Sequence, residues 1–185
     1  MPRGLEADAA ALYWEAFGGK LGKLLGPDNK GRRFFAKTVN PKAVIAATDN
    51  AGQLLGIAAH KAGTKGFSTA TTADLFRHYG VGAIWRLIPL AMLERDAPKG
   101  TLQMDGICVA ETARGQGVGS ALFDALFEYA RSNGFTHVTL DVIDTNPRAK
   151  ALYERLGFTA TGEETTGPLK PLLGFSSATK MVLTL

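Results

Sequence analysis

The chain has very few of the residues that build disulfides and metal sites. Its 185 residues include one cysteine, Cys108, so neither an intrachain disulfide nor a cysteine zinc site can form. The three histidines, His60, His78 and His137, are far apart and lack the spacing of metal ligands. We therefore expect a protein without a metal site.

Long apolar runs and targeting segments are also missing. The N-terminal segment MPRGLEADAA has no apolar core of the kind found in signal peptides. The most apolar stretch, residues 83–93, contains Arg86 and Pro89 and is shorter than the about 20 residues needed to span a bilayer. We therefore expect a cytoplasmic protein with no membrane partner.

Charge is only mildly unbalanced. The formal net charge is +4, and basic residues are densest at positions 20–23 and 30–33. Such clusters are typical of nucleic-acid surfaces, but a solvated helix face explains them more simply, so we do not expect a nucleic-acid partner. A mildly basic surface would also attract an anionic cofactor.

The first part of the sequence predicts two helices followed by a hairpin. Apolar residues at helical spacing predict a helix over 5–17, interrupted by Gly18-Gly19, and a second helix over 32–39. Strands are predicted over 43–49 and 53–60 with a turn between them, which is the pattern of a β-hairpin.

Residues 62–100 are the hardest part to interpret. They begin with a stretch rich in Gly, Ser and Thr and continue with two helical segments, the second kinked at Pro89. Its predicted apolar face consists of Ile84, Leu87, Ile88, Ala91 and Met92. Since no linker divides the chain, we expect one domain over 1–185.

The second half predicts alternating strands and helices. A strand, a Gly-rich loop, a helix and a second strand follow one another between residues 102 and 142, which implies a right-handed crossover between parallel strands. The hairpin before this unit and the closing strands after it suggest antiparallel flanks. The predicted class is α/β, with a mixed central β-sheet flanked by helices. The expected strands are 102–109, 137–142, 159–165 and 177–184, and the expected helices end near 132 and 156.

The segment Arg114-Gly115-Gln116-Gly117-Val118-Gly119 is the most informative in the chain. Its glycines allow unusual dihedral angles and close approach of a ligand to the backbone. It directly precedes an amphipathic helix, whose first amides have no internal partner and favour a phosphate. The loop therefore predicts an anion-binding site, with Arg114 adding a cation at its rim.

The loop allows four interpretations, three of which are binding sites for different ligands. A P-loop requires a lysine, which Gly119-Ser120-Ala121 does not supply. A nicotinamide-binding fingerprint is approached by Gly115, Gly117 and Ser120, with Asp141 near the distance expected of a ribose-binding acid, although little α/β repeat surrounds the loop. An ordinary Gly-rich connection also remains open. The fourth interpretation is a loop that binds coenzyme A.

Two motifs together favour coenzyme A. Arg114-x-x-Gly117-x-Gly119 resembles the cofactor loop of the GNAT superfamily of N-acetyltransferases. Downstream, the segment from Asn146 to Phe158, with Ala149, Leu152, Tyr153 and Gly157, resembles the second signature of that superfamily. The resemblance covers about residues 43–165 apart from the 62–100 insert, and it implies a GNAT fold and acetyl-CoA as cofactor.

The resemblance also implies roles for individual residues. The pyrophosphate would rest on the amides of residues 114–119, with Ser120 at the helix start, and the pantetheine arm would run beside the strand containing Ile107, Cys108 and Val109. The Val109 N–H would stabilise the oxyanion. Tyr153 would protonate the leaving thiolate. The remaining cofactor contacts implied by the second signature are Asn146, which can equally cap a helix, and Ala149 and Leu152.

The general base is less clearly indicated. Asp105 is the best candidate, because it interrupts the apolar strand that leads to Val109, and burial there would raise its pKa. A hydrogen-bonding structural role and a water chain to a more distant carboxylate remain alternatives. Gln103 occupies a position where some GNAT relatives carry a glutamate, and it cannot abstract a proton. Cys108 is interpreted as a core residue, so direct transfer in a ternary complex is expected.

The acceptor is a small-molecule or peptide amine in this interpretation, and its identity is open. The resemblance directs attention to the first helix, with Tyr13, Trp14 and Phe17, and to the insert, which we expect to be helical and to cover the acceptor side. A homodimer contact is the other use of the insert. GNAT relatives usually begin with a strand, which this sequence does not show. A coenzyme A-binding module without activity is the alternative function.

Overall fold

A computed structural model describes residues 1–26, 29–93 and 97–185. Two helices, a hairpin, a helical insert and a strand–helix unit follow one another along the chain, and two antiparallel strands close it. The helices are α1 (Glu6–Leu25), α2 (Lys30–Thr38), α3 (Thr72–Tyr79), α4 (Ile84–Leu93), α5 (Val118–Ser132), α6 (Pro147–Arg155) and α7 (Lys170–Leu173). The strands are β1 (Val44–Thr48), β2 (Leu54–Lys61), β3 (Thr101–Val109), β4 (His137–Ile143), β5 (Thr159–Thr165) and β6 (Ser177–Thr184).

The six strands form one mixed sheet in the order β1-β2-β3-β4-β6-β5. The pair β3–β4 is parallel, and the other neighbouring strands are antiparallel. The predicted mixed α/β class, the parallel crossover and the antiparallel flanks are confirmed. No strand lies in residues 1–5, which is consistent with the absence of a strand before α1 in the sequence pattern.

Strands β3 and β4 pair only at their beginnings. Their ladder consists of Thr101 with His137, Leu102 with Val138 and Gln103 with Thr139, although β3 continues to Val109. The two strands therefore diverge beyond Gln103 and leave a gap that widens toward the Gly-rich loop. This gap positions the candidate site.

Two cores lie on opposite faces of the sheet. On one face, α5 packs onto β3 and β4 through side chains that include Leu126, Leu102 and Leu140. On the other face, α1 and the loop before α3 pack onto the first three strands, with Ala9 and Phe67 among the buried residues. We call these the α5 face and the α1 face.

The predicted interruption of the first helix at Gly18-Gly19 is wrong, because α1 continues to Leu25. The indole of Trp14 explains the glycine at position 18: a Cβ there would lie 2.9 Å from Trp14 Cε2. Gly31 of α2 accommodates the same ring, since a Cβ would lie 2.2 Å from it. These glycines make room for a side chain between two helices instead of ending one.

The predicted apolar face of α4 is also wrong. Ile84 and Ile88 are 61% and 70% exposed, and Ala91 is exposed as well, whereas Leu87 and Leu90 pack toward Phe34 and Leu75. The side chain of Met92 lies outside the described part of the chain. Apolar side chains occur on most of the circumference of this helix, so their periodicity alone did not identify its buried side. The expected Pro89 does lie inside the helix.

The remaining boundaries agree with the predicted elements within about two residues, with one addition. The segment 167–174, which lies between the two predicted closing strands, contains the short helix α7. Lys23 of α1 donates from Nζ to the carbonyl oxygen of Pro171 over 2.9 Å, so α1, which packs on β2 and β3, also reaches this segment. Among the described helices, none has the length and apolar character needed to cross a membrane.

Candidate active site

The second half of β3 has one edge free of sheet partners. On the β2 side, Ala110 N–H donates to the Leu55 carbonyl over 2.8 Å, and Cys108 is the Cα partner of Ile57. Because main-chain groups alternate between the two edges of a strand, Ile107 and Val109 direct their N–H and C=O groups toward the gap. The structure thus leaves a strand edge available to an extended ligand.

The loop after β3 is shaped by two left-handed glycines. Gly115 has φ +74° and Gly117 has φ +81°, a region that costs side-chain-bearing residues free energy. No atom outside their immediate chain neighbours lies within 4 Å of a Cβ built at either position. The loop is stabilised by Gln116 Nε2, which donates to the Thr112 carbonyl oxygen over 2.8 Å. The space that a Cβ at Gly115 or Gly117 would occupy is open to a ligand.

The start of α5 presents main-chain donors beside this loop. Gly117 is the N-cap and has no side-chain cap, and the helical ladder begins with Ala121 N–H donating to the Gly117 carbonyl over 3.0 Å. The preceding amides of Val118, Gly119 and Ser120 have no intrahelical acceptor, and the helix dipole adds partial positive charge there. This is the geometry expected of a pyrophosphate site.

Arg114 lies between the loop and the open edge of β3. Its Nε is 3.4 Å from the Val109 carbonyl oxygen, at the long end of hydrogen-bonding distance. A groove of about 300 Å³ lies next to it, formed by α1 and the end of β3 and lined by Leu12, Glu15, Ala16, Ile107, Cys108, Val109 and Arg114. Three predicted residues of β3 and Arg114 of the loop therefore meet at one groove, and α1 forms its other wall.

Asp105 lies at the irregular point of β3. Ala59 pairs with Gly106 and His60 with Met104, so Asp105 is the extra residue of a β-bulge. Its Oδ2 accepts a hydrogen bond from Phe67 N–H over 2.9 Å. Burial raises the pKa of this carboxyl, while the Phe67 hydrogen bond and the Lys61 ammonium oppose that rise. The carboxylate therefore already secures the loop before α3, which is the structural role considered above.

Cys108 is not activated as a nucleophile. Burial, and secondarily the nearby Glu15 carboxylate, raise the pKa of its thiol to about 12. A thiol with that pKa is almost entirely protonated near neutral pH. Its side chain lies among the residues of the α1 face, as the sequence interpretation expected.

Tyr153 lies on the α5 face, on the other side of the gap from α1. Its ring contacts Phe123 and Phe158 with centroid distances of 6.1 and 6.0 Å, both edge-on. Burial raises the pKa of the phenol, which keeps the hydroxyl protonated and able to donate. The ring is thus held by packing, as a positioned donor requires.

Asn146 caps the helix that carries Tyr153. Its side-chain oxygen accepts from Ala149 N–H over 3.2 Å, and Pro147 follows in the first turn. Ala149 is half-buried against the α5-face core, and Leu152 remains 38% exposed. The cap accounts for Asn146 structurally, and any contact of these residues with the cofactor stays a prediction.

Sequence reasoning missed the contributions of Glu15 and Phe67 to the site. Glu15 is an exposed residue of α1 whose only sequence signal was a charge within an apolar helix. Phe67 stacks on Tyr13 with ring centroids 4.0 Å apart and donates its N–H to Asp105. Neither contact could be found from local patterns, because each joins segments that are distant in sequence. In the described ranges 1–26, 29–93 and 97–185, no group of three or more His, Cys, Asp or Glu residues could hold a metal ion.

The sequence is also similar to those of known proteins. Residues 10–158 match the Acetyltransferase (GNAT) family. The chain is 38% identical over 85 residues to mycothiol acetyltransferase of Corynebacterium jeikeium, which covers 46% of this chain and 24% of that protein. It is 33% identical over 91 residues to N-acetyltransferase family 8 member 2 of Rattus norvegicus, covering 48% and 40% respectively. The matches therefore span less than half of these two relatives.

A similar fold occurs in a solved structure. The crystal structure of ribosomal-protein-alanine N-acetyltransferase from Brucella melitensis superposes with a TM-score of 0.63 at 19% identity, covering 100% of this chain and 97% of that one. At this identity the likeness concerns the fold alone.

Proposed function

Since the chain belongs to the GNAT family of acetyltransferases, we propose that it transfers an acetyl group from acetyl-CoA to a primary amine. The observation that carries the proposal is the open edge of β3 ending in the glycine loop and the uncapped start of α5. Together they offer a strand edge to an extended arm and amides to a pyrophosphate. The relatives' names agree on acetyl transfer and differ in what is acetylated.

The residues available fit coenzyme A. The amides of residues 115–120 would hold the pyrophosphate, with the Arg114 guanidinium beside them. Ile107 would pair through its N–H and C=O groups, and Val109 through its C=O group, with the amide groups of the pantetheine arm in the gap. Cys108, whose main chain faces β2, would contribute only to the wall of the groove, while Asn146, Ala149 and Leu152 would flank the arm from α6.

Acetyl-CoA supplies the activated acetyl thioester, and three groups of this chain would assist the transfer. Val109 N–H would donate to the oxygen that becomes negative, an interaction that can contribute about 3 kcal/mol to barrier lowering. The Tyr153 hydroxyl would donate to the departing sulfur. Asp105 remains the candidate base, although its bond to Phe67 N–H occupies one carboxylate oxygen.

Direct transfer in a ternary complex is favoured over a covalent acetyl-enzyme. The high pKa of Cys108, about 12, disfavours the thiolate that such an intermediate needs. The acceptor and acetyl-CoA would then be bound at the same time.

The domain assignment is part of the proposal. Residues 1–185 would form one acetyltransferase domain in which the 62–100 insert covers the acceptor side. In support, Phe67 packs on the α1 face of the sheet, and the insert's helices continue from there over α2. A contact between two copies of the chain is the other use of this surface.

The test is release of free thiol from acetyl-CoA with a panel of primary amines, together with thermal unfolding in the presence of acetyl-CoA. We expect stabilisation by acetyl-CoA and amine-dependent thiol release. Replacing Tyr153→Phe should leave the stabilisation unchanged and lower kcat by about 100-fold. Absence of stabilisation would contradict the proposal, and stabilisation without turnover of any amine would indicate a binding module.

A further inference from the structure

The exposed apolar side chains of this protein are concentrated in the insert. Among the described residues, six large hydrophobic side chains are exposed, and five of them lie between positions 76 and 88. Val81, in the 3₁₀ helix Gly80–Ala83 that joins α3 to α4, is 86% exposed. Ile84, Trp85 and Ile88 follow on α4 at 61%, 48% and 70%. We call these four residues the apolar tip. Single exposed apolar residues are ordinary, whereas such a cluster indicates a contact surface.

The opposite side of α4 is already used for folding. Leu87 and Leu90 pack toward Phe34, in the small core that joins α2 to the insert. Ile84 and Ile88 are one helical turn apart, so they lie above one another on the same side of α4. Folding of the chain therefore buries one side of this helix and leaves Ile84 and Ile88 in contact with solvent.

The helices around the apolar tip carry a strong positive charge. Helices α2, α3 and α4 contain six Lys or Arg and one Asp, a formal charge of +5, whereas the whole chain has +4. Helix α2 contacts the insert directly, because His78 Nε2 donates to the Lys30 carbonyl oxygen over 3.0 Å. Lys37 and Arg77 line a cavity between α2 and α3. The side chains of Lys30, Lys37 and Arg77 are exposed, so this charge is available to a partner.

Arg86 joins the charged and the apolar parts of this surface. Its guanidinium carbon lies 4.1 Å from the ring centroid of Trp85 and 4.3 Å from that of Tyr79. A Cβ built on Gly26 would lie 3.7 Å from both Arg86 Nη2 and Lys30 Cδ, so the two cationic side chains converge at the start of α2. A tryptophan beside cations at the edge of an aliphatic patch is typical of surfaces that contact lipid headgroups.

The combination of charge and apolar surface selects among possible partners. A second copy meeting this surface through a twofold axis would bring the basic helices of the two copies together, which is unfavourable. A nucleic acid would use the cations and the ring of Trp85 but would offer no apolar surface to Val81, Ile84 and Ile88. A peptide helix binds in a groove, whereas the apolar tip lies on a turn and on the outer side of a helix. A bilayer with anionic headgroups meets both the charge and the apolar side chains.

We propose that the apolar tip and the cations beside it bind the surface of a bilayer that contains anionic lipids. The aliphatic side chains would enter the boundary between headgroups and acyl chains, and the cations would contact lipid phosphates. A helix that lies on a bilayer does not need the length to cross it, so the finding that no described helix can do so is compatible with this contact. The proposal replaces the expectation of no membrane partner, which depended on the absence of a spanning segment. It goes beyond the proposed acetyltransferase function and does not rest on it.

Sedimentation of the full chain with lipid vesicles tests the proposal. One set of vesicles consists of phosphatidylcholine alone, and the other of equal parts of phosphatidylcholine and phosphatidylglycerol. We expect the apparent Kd to be at least about tenfold lower for the anionic vesicles. Binding should weaken as salt is added, because salt screens the charges. The chain has two tryptophans, and the emission of Trp85 should shift to shorter wavelength on the anionic vesicles, a shift that Trp85→Phe should abolish.

The apolar part of the surface is tested by two double variants. Ile84→Ser with Ile88→Ser removes exposed apolar area and should weaken binding to the anionic vesicles by at least about tenfold. Ile84→Leu with Ile88→Leu keeps that area and should bind as the wild type does. Both pairs of side chains are exposed, so an unchanged thermal midpoint in the absence of vesicles shows that the variants are folded.

The charged part is tested by a matched pair of double variants. Lys30→Gln with Lys37→Gln should weaken binding to the anionic vesicles by at least about tenfold. Arg131→Gln with Arg148→Gln removes the same charge from exposed positions on α5 and α6, and it should leave the apparent Kd within about twofold of the wild-type value. Equal weakening by the two pairs would show that net charge alone attracts the protein and would overturn the assignment to this surface.

Absence of binding, or equal binding to the two kinds of vesicle, would also overturn the proposal. A dimer in sedimentation velocity that Ile84→Ser with Ile88→Ser dissociates, in a protein that does not bind vesicles, would assign the surface to a second copy of the chain instead. Thermal stabilisation by acetyl-CoA is measured separately on the same proteins. Its absence would contradict the acetyltransferase proposal and would leave the result with vesicles unaffected.

Discussion

The two halves of β3 differ in their surroundings although they belong to one strand. Residues 101–103 all pair with β4, Gln103 pairs with Lys61 of β2 as well, and Leu102 is completely buried. Residues 106–109 are paired with β2 alone, and their other edge faces the gap. The first half therefore holds the sheet together, while the second half leaves main-chain groups for a ligand. Variants should therefore separate stability from binding.

The largest expected effect on stability belongs to the first half of β3, residues 101–103. Replacing Leu102→Ala removes a fully buried side chain from the α5-face core and should lower the free energy of unfolding by about 2–5 kcal/mol. Urea unfolding followed by circular dichroism measures this loss. A loss below about 1 kcal/mol would contradict the view that this half of β3 anchors the sheet.

An intermediate effect is expected in the glycine loop that follows the second half of β3. Gly117 has φ +81°, so Gly117→Ala should cost about 1–2 kcal/mol of stability, and it places a methyl group where the pyrophosphate is proposed to bind. Binding of acetyl-CoA, measured by calorimetry, should weaken by at least about tenfold.

Gly22→Ala is the matched control for that variant. Gly22 is helical, and a Cβ there has no neighbour within 4 Å, so the change should leave stability equal or slightly higher and binding unaltered. Equal loss of acetyl-CoA affinity in both variants would show that the glycine loop has no special part in binding.

The smallest expected effect on stability concerns Asp105, at the bulge between the two halves. Burial raises the pKa of its carboxyl in the folded protein, so the stability that it contributes is greatest at low pH and is lost as the pH rises through the folded-state pKa. Asp105→Asn removes this loss while keeping an acceptor for Phe67 N–H. The difference in thermal midpoint between the variant and the wild type should therefore move in favour of the variant as the pH rises above about 4, the ordinary range of an aspartate carboxyl.

Thiol release by Asp105→Asn then tests the catalytic role. If Asp105 is the base, kcat should fall by about 100-fold or more. Unchanged kcat together with the pH-dependent gain in stability would assign Asp105 to the structural role alone.

How much could be read from the sequence differs between parts of the site. The Gly-rich loop and the α6 signature are continuous segments whose chemistry depends on local backbone geometry, so the pattern at Gly115 and Gly117 predicted the left-handed turns and the helix start. The strand pairing of β3 followed from the order of elements.

The cavities of the α1 face were far less predictable. The walls of the cavity of about 240 Å³ that includes Gln103 and Asp141 come from four strands and α7, and no local spacing indicates which of these residues meet. The buried side of α4 was misassigned because apolar residues occur on most of its circumference, and the packing of Leu87 and Leu90 against Phe34 decides it. Tertiary contacts between distant segments carry this information.

Amide hydrogen exchange of β3 with and without acetyl-CoA tests the central claim most directly. Ile107 and Val109 face the gap, whereas Cys108 lies between them and faces β2. We predict that acetyl-CoA slows the exchange of the Ile107 and Val109 amides and leaves the Cys108 amide nearly unchanged. Binding of acetyl-CoA without added protection at Ile107 and Val109 would contradict the proposal that the open edge of β3 holds the cofactor.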